Sequence, residues 1–317
     1  MNSLEHDPLT VETAAAAVSE PVRRSNQKKG TEAPRHLPWE TTFGCPRNFL
    51  SNQFVYVVIS ARARGLSVGV NMNPDRECNF DCGYCEVNRA SHGSHKELDV
   101  DIMAEELKST LGWVLSGKLH ESEAYSNIPP ELLELRHIAL SGDGEPTLSQ
   151  HFAESVQALV HVRALHTAKF FKLVLITNAT GLDRPQVEAG LKFFTRHDEI
   201  WAKLDAGTQQ YMNLVNRPTV TLEKVLSNIL QTARQRPVII QSMFPLLDGA
   251  PPCQAEIEQY ALRLKELKEA GAQIPLVQIY SATRPTPHSE CRHLPLNSLS
   301  QIARSVKSIA GLEAEVF

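Results

Sequence analysis

The sequence predicts an α/β fold, namely a partial (β/α)6 TIM-like barrel of parallel strands with an irregular N-terminal extension. Six short apolar runs, rich in β-branched residues, alternate with segments of helical period. Apolar strands that alternate with helices are typical of a parallel sheet covered by helices. Each run ends in polar or glycine-rich residues, and in such folds the functional site lies at the carboxyl ends of the strands. Polar ends on all six strands favour a barrel mouth over the single crevice of an open, doubly wound sheet.

The predicted strands are four to six residues long, which is an ordinary strand length. After a strand-like run at Phe54–Ile59, the core strands are Val68–Met72, Leu135–Leu140, Leu173–Ile176, Ile200–Leu204, Val238–Met243 and Leu276–Tyr280. Apolar residues at helical spacing predict helices at 99–116, 149–163, 184–195, 221–235 and 253–270, with a weaker one at 297–310. We expect Asp183 and Thr221 as N-caps of the third and fourth helices, and Gly271 just past the end of the fifth.

The length of 317 residues corresponds to roughly two domains of about 150 residues, or to one large barrel. We expect a disordered tail at 1–35, an N-terminal extension at 36–66 and the barrel domain at 67–317. The net charge of −4 gives no global reason to expect binding to nucleic acid or to an anionic membrane. No apolar run approaches the roughly 18 residues of a membrane helix, and no signal-peptide pattern is present, so we expect a cytoplasmic protein that does not bind membranes.

Three cysteines lie within eight residues, in Cys78-Asn-Phe-Asp-Cys82-Gly-Tyr-Cys85, just after the first predicted core strand. In a cytosolic protein this spacing is typical of metal ligands rather than of disulfides. Structural zinc takes four ligands, so His92 or His95 would have to complete a zinc site. A 4Fe–4S cluster also binds thiolates, normally four, and three would leave one iron open to a substrate or cofactor. The spacing leaves both metals open.

A second motif follows the next strand, where Leu135–Leu140 runs into Ser141-Gly-Asp-Gly-Glu-Pro-Thr147. Glycines let the backbone approach a ligand closely and adopt positive φ. A carboxylate at such a turn can pair with an ammonium group. The alternative is a simple turn from strand to helix, with Pro146 near the helix start.

The C-x3-C-x-aromatic-C spacing, with Tyr84 in the aromatic position, resembles the signature of the radical S-adenosylmethionine (SAM) superfamily. Members of that family fold as partial or full β/α barrels. The resemblance implies that Cys78, Cys82 and Cys85 hold a 4Fe–4S cluster and that the open iron chelates SAM. It further implies reductive cleavage of SAM to methionine and a 5′-deoxyadenosyl radical, which abstracts hydrogen from a substrate. An electron donor such as flavodoxin or ferredoxin is implied as well.

Later segments also resemble the family. Residues 141–147 are similar to its Gly-Gly-Glu motif, which implies that Glu145 binds the SAM amino group, and Thr177-Asn178-Ala179 is similar to its Thr-Asn-Gly segment. Lys203 and Asp205 occupy positions implied to meet the carboxylate and ribose of SAM, although an internal salt bridge would explain them equally. Gln241 and Ser242 on the fifth predicted strand are weaker candidates for the same kind of contact with SAM. The cofactor-binding residues implied by the resemblance are Tyr84, Gly142, Asp143, Gly144, Glu145, Asn178, Lys203 and Asp205.

Over about residues 66–290 the motifs are similar to the branch of the wyosine-type tRNA-modifying enzymes and related iron–sulfur oxidoreductases. Those enzymes hold a second cluster on additional N-terminal cysteines, whereas here only Cys45 precedes Cys78. A second cluster on Cys45, Cys253 and Cys291 stays an open alternative. Arg284 is a candidate for an anionic group of the substrate or of SAM, or for a salt bridge. The substrate is left as a small molecule, a peptide or tRNA.

The alternative from another functional class is a zinc-stabilised nucleic-acid-binding module without catalysis. Arg62, Arg64, Arg89 and Lys96 flank the cysteine loop and would form a basic rim for phosphates, or an ordinary solvated surface. Iron in the protein would support the enzyme, and zinc would support the binding module.

Overall fold

The computed structural model of the chain describes residues 49–87, 97–165, 170–283 and 288–317. The expected tail and the first part of the expected extension, with Cys45, lie outside these ranges. The strands within the ranges are β1 (Val55–Ser60), β2 (Gly65–Asn71), β3 (Leu135–Ser141), β4 (Lys172–Thr177), β5 (Glu199–Lys203), β6 (Val238–Met243), β7 (Pro245–Leu247), β8 (Val277–Tyr280), β9 (Cys291–His293) and β10 (Ala314–Val316). The α-helices are α1 (Val100–Leu115), α2 (Phe152–Leu165), α3 (Pro185–Leu191), α4 (Gln209–Val215), α5 (Leu222–Gln235), α6 (Gln254–Glu269) and α7 (Leu296–Ala310).

The main sheet is a curled half-barrel with the strand order β1-β2-β3-β4-β5-β6-β8-β10. Strand β1 runs antiparallel to β2, and all other neighbours in this sheet are parallel. The six predicted core strands are present as β2 to β6 and β8, so the α/β partial barrel is confirmed. The count of six is too low for the sheet, because β1 extends one edge and β10 the other. Strand β1 and the first residues of β2 come from the segment that we expected to precede the barrel.

The strand register separates two faces of the half-barrel. One face is apolar and joins the core formed with the helices; it carries Val68, Ile138, Leu175, Ile200, Ile240 and Val277. The opposite face, which we call the concave face, carries most of the polar strand residues among some apolar ones; its polar and aromatic residues are Ser67, His137, Lys172, Glu199, Trp201, Lys203, Gln241, Gln278 and Tyr280. The helices therefore cover one side of the sheet, and the polar strand residues line the other.

The helix caps agree with the sequence in part. Thr221 caps α5 by accepting a hydrogen bond from the Lys224 amide, and Gly271 adopts the positive φ (95°) expected just past α6. Asp183 was wrongly expected to cap α3, since Arg184 occupies the cap position without a side-chain hydrogen bond. The Asp183 carboxylate is instead bound to Lys224 Nζ at 2.5 Å and Asn228 Nδ2 at 3.1 Å. None of the helices in the described ranges is long and apolar enough to cross a membrane.

Candidate functional site

The loop that carries the three cysteines follows β2 and lies against the end of α4. The Gly83 amide donates to the Val215 carbonyl at 2.9 Å, and the Asp81 amide donates to the Asn216 carbonyl at 3.0 Å. The Cys85 amide closes a turn onto the Cys82 carbonyl at 2.9 Å. All three cysteines are half-buried. The backbone thus fixes the loop at the carboxyl ends of the parallel strands, where the sequence predicted a site.

Nitrogen donors lie close to two of the cysteine sulfurs. The Phe80 amide is 3.4 Å from Cys78 Sγ, and Asn178 Nδ2 is 3.9 Å from the same atom. Asn216 Nδ2 is 3.4 Å from Cys82 Sγ. Such N–H groups stabilise negative charge on sulfur, and hydrogen bonds to cysteine sulfur are one of the means by which proteins tune iron–sulfur clusters.

The electrostatics around Cys82 disfavour a bare thiolate. Burial raises the pKa of Cys82 to about 12, and the negative charge of Asp205 adds to the effect. A coordinated cation reverses this balance, since metal binding deprotonates a thiol outright. No group of three or more histidine, cysteine, aspartate or glutamate side chains is arranged around a metal position in the described ranges. The chemistry of the ligands nevertheless fits a cluster, because three cysteines lie on one short loop and two of their sulfurs have N–H donors.

Asp205 connects the cysteine loop to the sheet. Its Oδ2 accepts hydrogen bonds from the Tyr84 hydroxyl and from Asn216 Nδ2, the latter at 2.8 Å. Its Oδ1 accepts the Met243 amide at 2.8 Å. Burial and the charge of Asp205 raise the pKa of Tyr84. The phenol therefore stays protonated and donates a hydrogen bond to Asp205. Tyr84 and Asp205, both expected from the sequence to bind SAM, are therefore hydrogen-bonded to each other.

Lys203 lies between two aromatic rings on the concave face. Its Nζ is 4.8 Å from the centre of the Tyr84 ring, 5.4 Å from that of Tyr280, and 3.1 Å from the Tyr280 hydroxyl. It is also 3.6 Å from Asp205 Oδ1, which is the internal salt bridge considered from the sequence. Burial lowers the pKa of an ammonium group, but the charge of Asp205 outweighs this and raises the pKa of Lys203 above its usual value. Lys203 is therefore a cation at neutral pH.

Glu145 joins the ends of β3 and β4. It is buried, and its Oε1 accepts from the Thr147 amide at 3.0 Å, the Thr147 hydroxyl at 2.6 Å and the Thr177 hydroxyl at 2.5 Å. Its Oε2 accepts the Asn178 amide at 2.7 Å. Burial raises the pKa of Glu145, and these four hydrogen bonds oppose the shift. Both carboxylate oxygens are thus engaged by the protein, which makes the carboxylate a connection between two strand ends.

The glycine-rich turn packs directly on the cysteine loop. A side chain at Gly144 would place its Cβ 2.0 Å from the Glu77 carbonyl oxygen, and the Glu145 amide donates to that same carbonyl at 2.9 Å. Gly142 has a φ of 132° and leaves no room for a Cβ against Asn71. Asp143 is half-buried; its Oδ2 accepts from Asn71 Nδ2 at 3.1 Å. Close approach of backbone segments is therefore the reason for glycine at 142 and 144.

Several other predicted residues fall in different environments. Asn178 donates to Asn79 Oδ1 at 2.8 Å, so it also braces the cysteine loop. Gln241 pairs with Gln278 at 2.8 Å, whereas Ser242 bonds to Tyr260 at 2.5 Å on the helix side. Cys253 is exposed and Cys291 is buried beside Tyr84. The remaining candidates, His92, His95, Arg89, Lys96, Arg284 and Cys45, lie outside the described ranges.

Two residues of the candidate site were not predicted from the sequence. Asn216 ends the short helix α4 and touches Cys82, Tyr84 and Asp205. Tyr280 ends β8 and bonds to Lys203. A polar or aromatic residue at the end of a strand or helix was the available signal for both, but their partners lie far away along the chain.

Comparison with known proteins gives relatives by sequence and by fold. No protein-family model matches the chain. A UPF0026 protein of Helicobacter pylori strain J99 is 24% identical over 267 residues, which cover 80% of this chain and 79% of the relative. Streptococcus suis SuiB bound to S-adenosylmethionine superposes with a TM-score of 0.52 at 14% identity, over 77% of this chain and 49% of SuiB. TYW1 with a bound lysine-pyruvate adduct superposes with a TM-score of 0.50 at 14% identity, over 80% of this chain and 84% of TYW1.

The chain spans about half the length of SuiB. At 14% identity the two structural matches establish a shared fold. The curled, mostly parallel sheet of this chain is thus an architecture that SuiB uses in a complex with S-adenosylmethionine.

Proposed function

We propose that the chain is a radical SAM enzyme that holds a 4Fe–4S cluster on Cys78, Cys82 and Cys85 and binds SAM beside it. The observation that carries this proposal is the position of the three-cysteine loop. It lies at the carboxyl ends of a parallel half-barrel, with N–H donors at the sulfurs of Cys78 and Cys82. The likeness in fold to SuiB, which was solved bound to S-adenosylmethionine, supports the same assignment.

When bound, the cluster supplies the electron that cleaves SAM to methionine and a hydrogen-abstracting 5′-deoxyadenosyl radical. The residues of this chain hold and orient the reactants. Tyr84 and Asn216 fix the cysteine loop to Asp205, and therefore to the end of β5. Glu145 fixes the glycine-rich turn to β4 through Thr177 and the Asn178 amide.

We assign the pairing with the SAM amino group to Asp143 rather than to Glu145. Both carboxylates lie on the turn that packs against the cysteine loop, but Glu145 is buried and bonded through both oxygens. Asp143 is half-buried, and its Oδ2 accepts a hydrogen bond from Asn71 Nδ2 at 3.1 Å. The proposal rests on this difference in burial, since a ligand reaches a half-buried carboxylate more readily than a buried one, and a carboxylate pairs with an ammonium group by a charge-assisted hydrogen bond. Gly142, Gly144, Asn178 and Lys203 complete the proposed SAM site, and a flavodoxin or ferredoxin is the proposed electron donor.

The test is the identity of the metal. The full chain is reconstituted anaerobically with iron and sulfide, and iron, sulfide and zinc are quantified per chain. We expect a brown protein with about four irons per chain, the content of a 4Fe–4S cluster. A colourless protein that binds zinc instead would overturn the proposal and support the nucleic-acid-binding module.

A further inference from the structure

The concave face of the half-barrel carries more cations than carboxylates. Lys172 and Lys203 on this face each have an acidic partner, Glu199 at 2.6 Å and Asp205 at 3.6 Å, and Arg64 in the turn between β1 and β2 pairs with Glu315 at 2.8 Å. Arg62 is the exception. No carboxylate in the described part of the chain forms an ion pair with its guanidinium group.

Arg62 is held by an aromatic ring. Its guanidinium carbon lies 4.1 Å from the centre of the Tyr280 ring, a cation–π distance. Its Nε is buried and makes no hydrogen bond to the described residues. A buried N–H group without an acceptor is costly, and such groups in native proteins usually have a reason to be kept.

Lys203 brings a second positive charge to the same ring. Its Nζ lies 3.1 Å from the Tyr280 hydroxyl and 5.4 Å from the ring centre. Arg62 also affects His137, whose pKa is lowered chiefly by burial and further by the charges of Lys172 and Arg62. The Nδ1 atom of His137 is buried and has no partner among the described residues. Arg62 and Lys203 thus both lie against Tyr280, and the charge of Arg62 also acts on His137.

We propose that Arg62 and Lys203, which both lie against Tyr280, bind an anionic group of a ligand, a carboxylate or a phosphate. A guanidinium group that stacks on a ring by its face keeps its N–H edge for in-plane hydrogen bonds, and that edge matches the oxygens of both anions. That this ligand is a reactant rests on the proposed function. The anion has two chemical sources, the substrate or the carboxylate of SAM itself.

Inorganic phosphate is the probe for the site. Its dissociation constant is measured by calorimetric titration of the full-length reconstituted protein, at constant ionic strength. The variants are Arg62→Gln and the matched control Arg64→Gln, which lies two residues away in the same turn but is exposed and paired with Glu315. We expect Arg62→Gln to weaken phosphate binding at least about tenfold, because a charge-assisted bond is lost. Arg64→Gln should bind phosphate as the parent does, and Arg62→Lys should fall between.

Phosphate binding that is equal in the parent and in Arg62→Gln would overturn the proposal, and so would equal losses in the Arg62 and Arg64 variants. A SAM titration of the same proteins separates the two sources. If Arg62→Gln weakens SAM binding as much as phosphate binding, the anion is the SAM carboxylate; if SAM affinity is unchanged, the anion belongs to the substrate. Phosphate binding needs no cluster, so a protein that takes up zinc but binds phosphate through Arg62 refutes the enzyme and keeps the anion site.

Discussion

The side-chain amide nitrogen of Asn216 lies 3.4 Å from the sulfur of Cys82. The same nitrogen lies 2.8 Å from Asp205 Oδ2, so one buried amide connects a proposed cluster ligand to the end of β5. The contact joins residues 134 positions apart in the chain. In the proposed site, the contact makes Asn216 a positioning residue that would act on the cluster through Cys82.

Replacing Asn216 with alanine should shift the reduction potential of the cluster to a more negative value. An N–H donor to a ligating sulfur stabilises the extra electron of the reduced cluster, and the variant loses that donor. The potential is measured by redox titration of the reconstituted protein, monitored by electron paramagnetic resonance. Asn213→Ala, an exposed position on the same helix, is the control and should leave the potential unchanged. Equal potentials in the parent and Asn216→Ala would contradict this role.

Alanine at Cys78, Cys82 or Cys85 should abolish retention of a full cluster, because each substitution removes a thiolate ligand. Alanine at Cys253 should retain the parent's iron content, since this exposed cysteine at the start of α6 is outside the proposed ligand set. Iron and sulfide are quantified after anaerobic reconstitution and desalting. Loss of iron on substitution of Cys253 would instead favour the second-cluster alternative.

Substitutions of the two carboxylates in the glycine-rich turn should have different effects, one on stability and the other on SAM binding. Glu145→Gln places an amide donor in a network built for an acceptor, so we expect a loss of about 1–3 kcal/mol in the free energy of unfolding, measured with denaturant. Asp143→Asn should leave the free energy of unfolding close to that of the parent but weaken SAM binding, measured by equilibrium titration. A stable Glu145→Gln protein with weakened SAM binding would reverse the two assignments.

His137 should make the fold sensitive to acid. Burial, with Lys172 and Arg62 nearby, lowers the pKa of His137 from 6.5 to about 3. As the pH falls from 6.5 towards 3, the unfolded chain binds a proton that the folded chain does not. This lowers the free energy of unfolding by up to ~1.4 kcal/mol per pH unit, whereas above pH 6.5 the residue contributes no pH dependence.

Denaturant unfolding at several pH values between 4 and 7 measures this dependence. His137→Gln should show a shallower decrease than the parent, because the glutamine does not titrate. His120→Gln, at an exposed position, should follow the parent. Parallel curves for the parent and His137→Gln would show that the histidine is not held neutral by the fold.

Local patterns were sufficient for the elements with strong periodicity. Val238–Met243 has the predicted bounds, and Thr221 caps α5, since both depend on neighbouring residues. The three-residue strand β10 and the seven-residue helix α4 are too short to show a period. Asp183 failed as a cap because Lys224 and Asn228, about forty residues away, bind its carboxylate.

The candidate site divides in the same way. The cysteine spacing and the glycine-rich turn are local, and the sequence located both. The choice of partners is not local: Glu145 is bonded by Thr177 and Asn178 from the next strand, which directs its carboxylate to the fold. From the sequence, Arg62 was considered only as a residue of the basic rim. Its contact with Tyr280 joins the turn between β1 and β2 to β8, and these segments are far apart in the chain. Such contacts depend on the curvature of the sheet, which no single segment encodes.

Formation of 5′-deoxyadenosine is the reaction that distinguishes a radical SAM enzyme from a protein that only binds a metal. The anaerobically reconstituted protein is reduced with dithionite and incubated with SAM, and the product is quantified by chromatography against the Cys82→Ala variant. We expect slow formation of 5′-deoxyadenosine by the parent protein and none by the variant. A fully loaded, reduced cluster that binds SAM and forms no 5′-deoxyadenosine would overturn the proposed radical SAM activity.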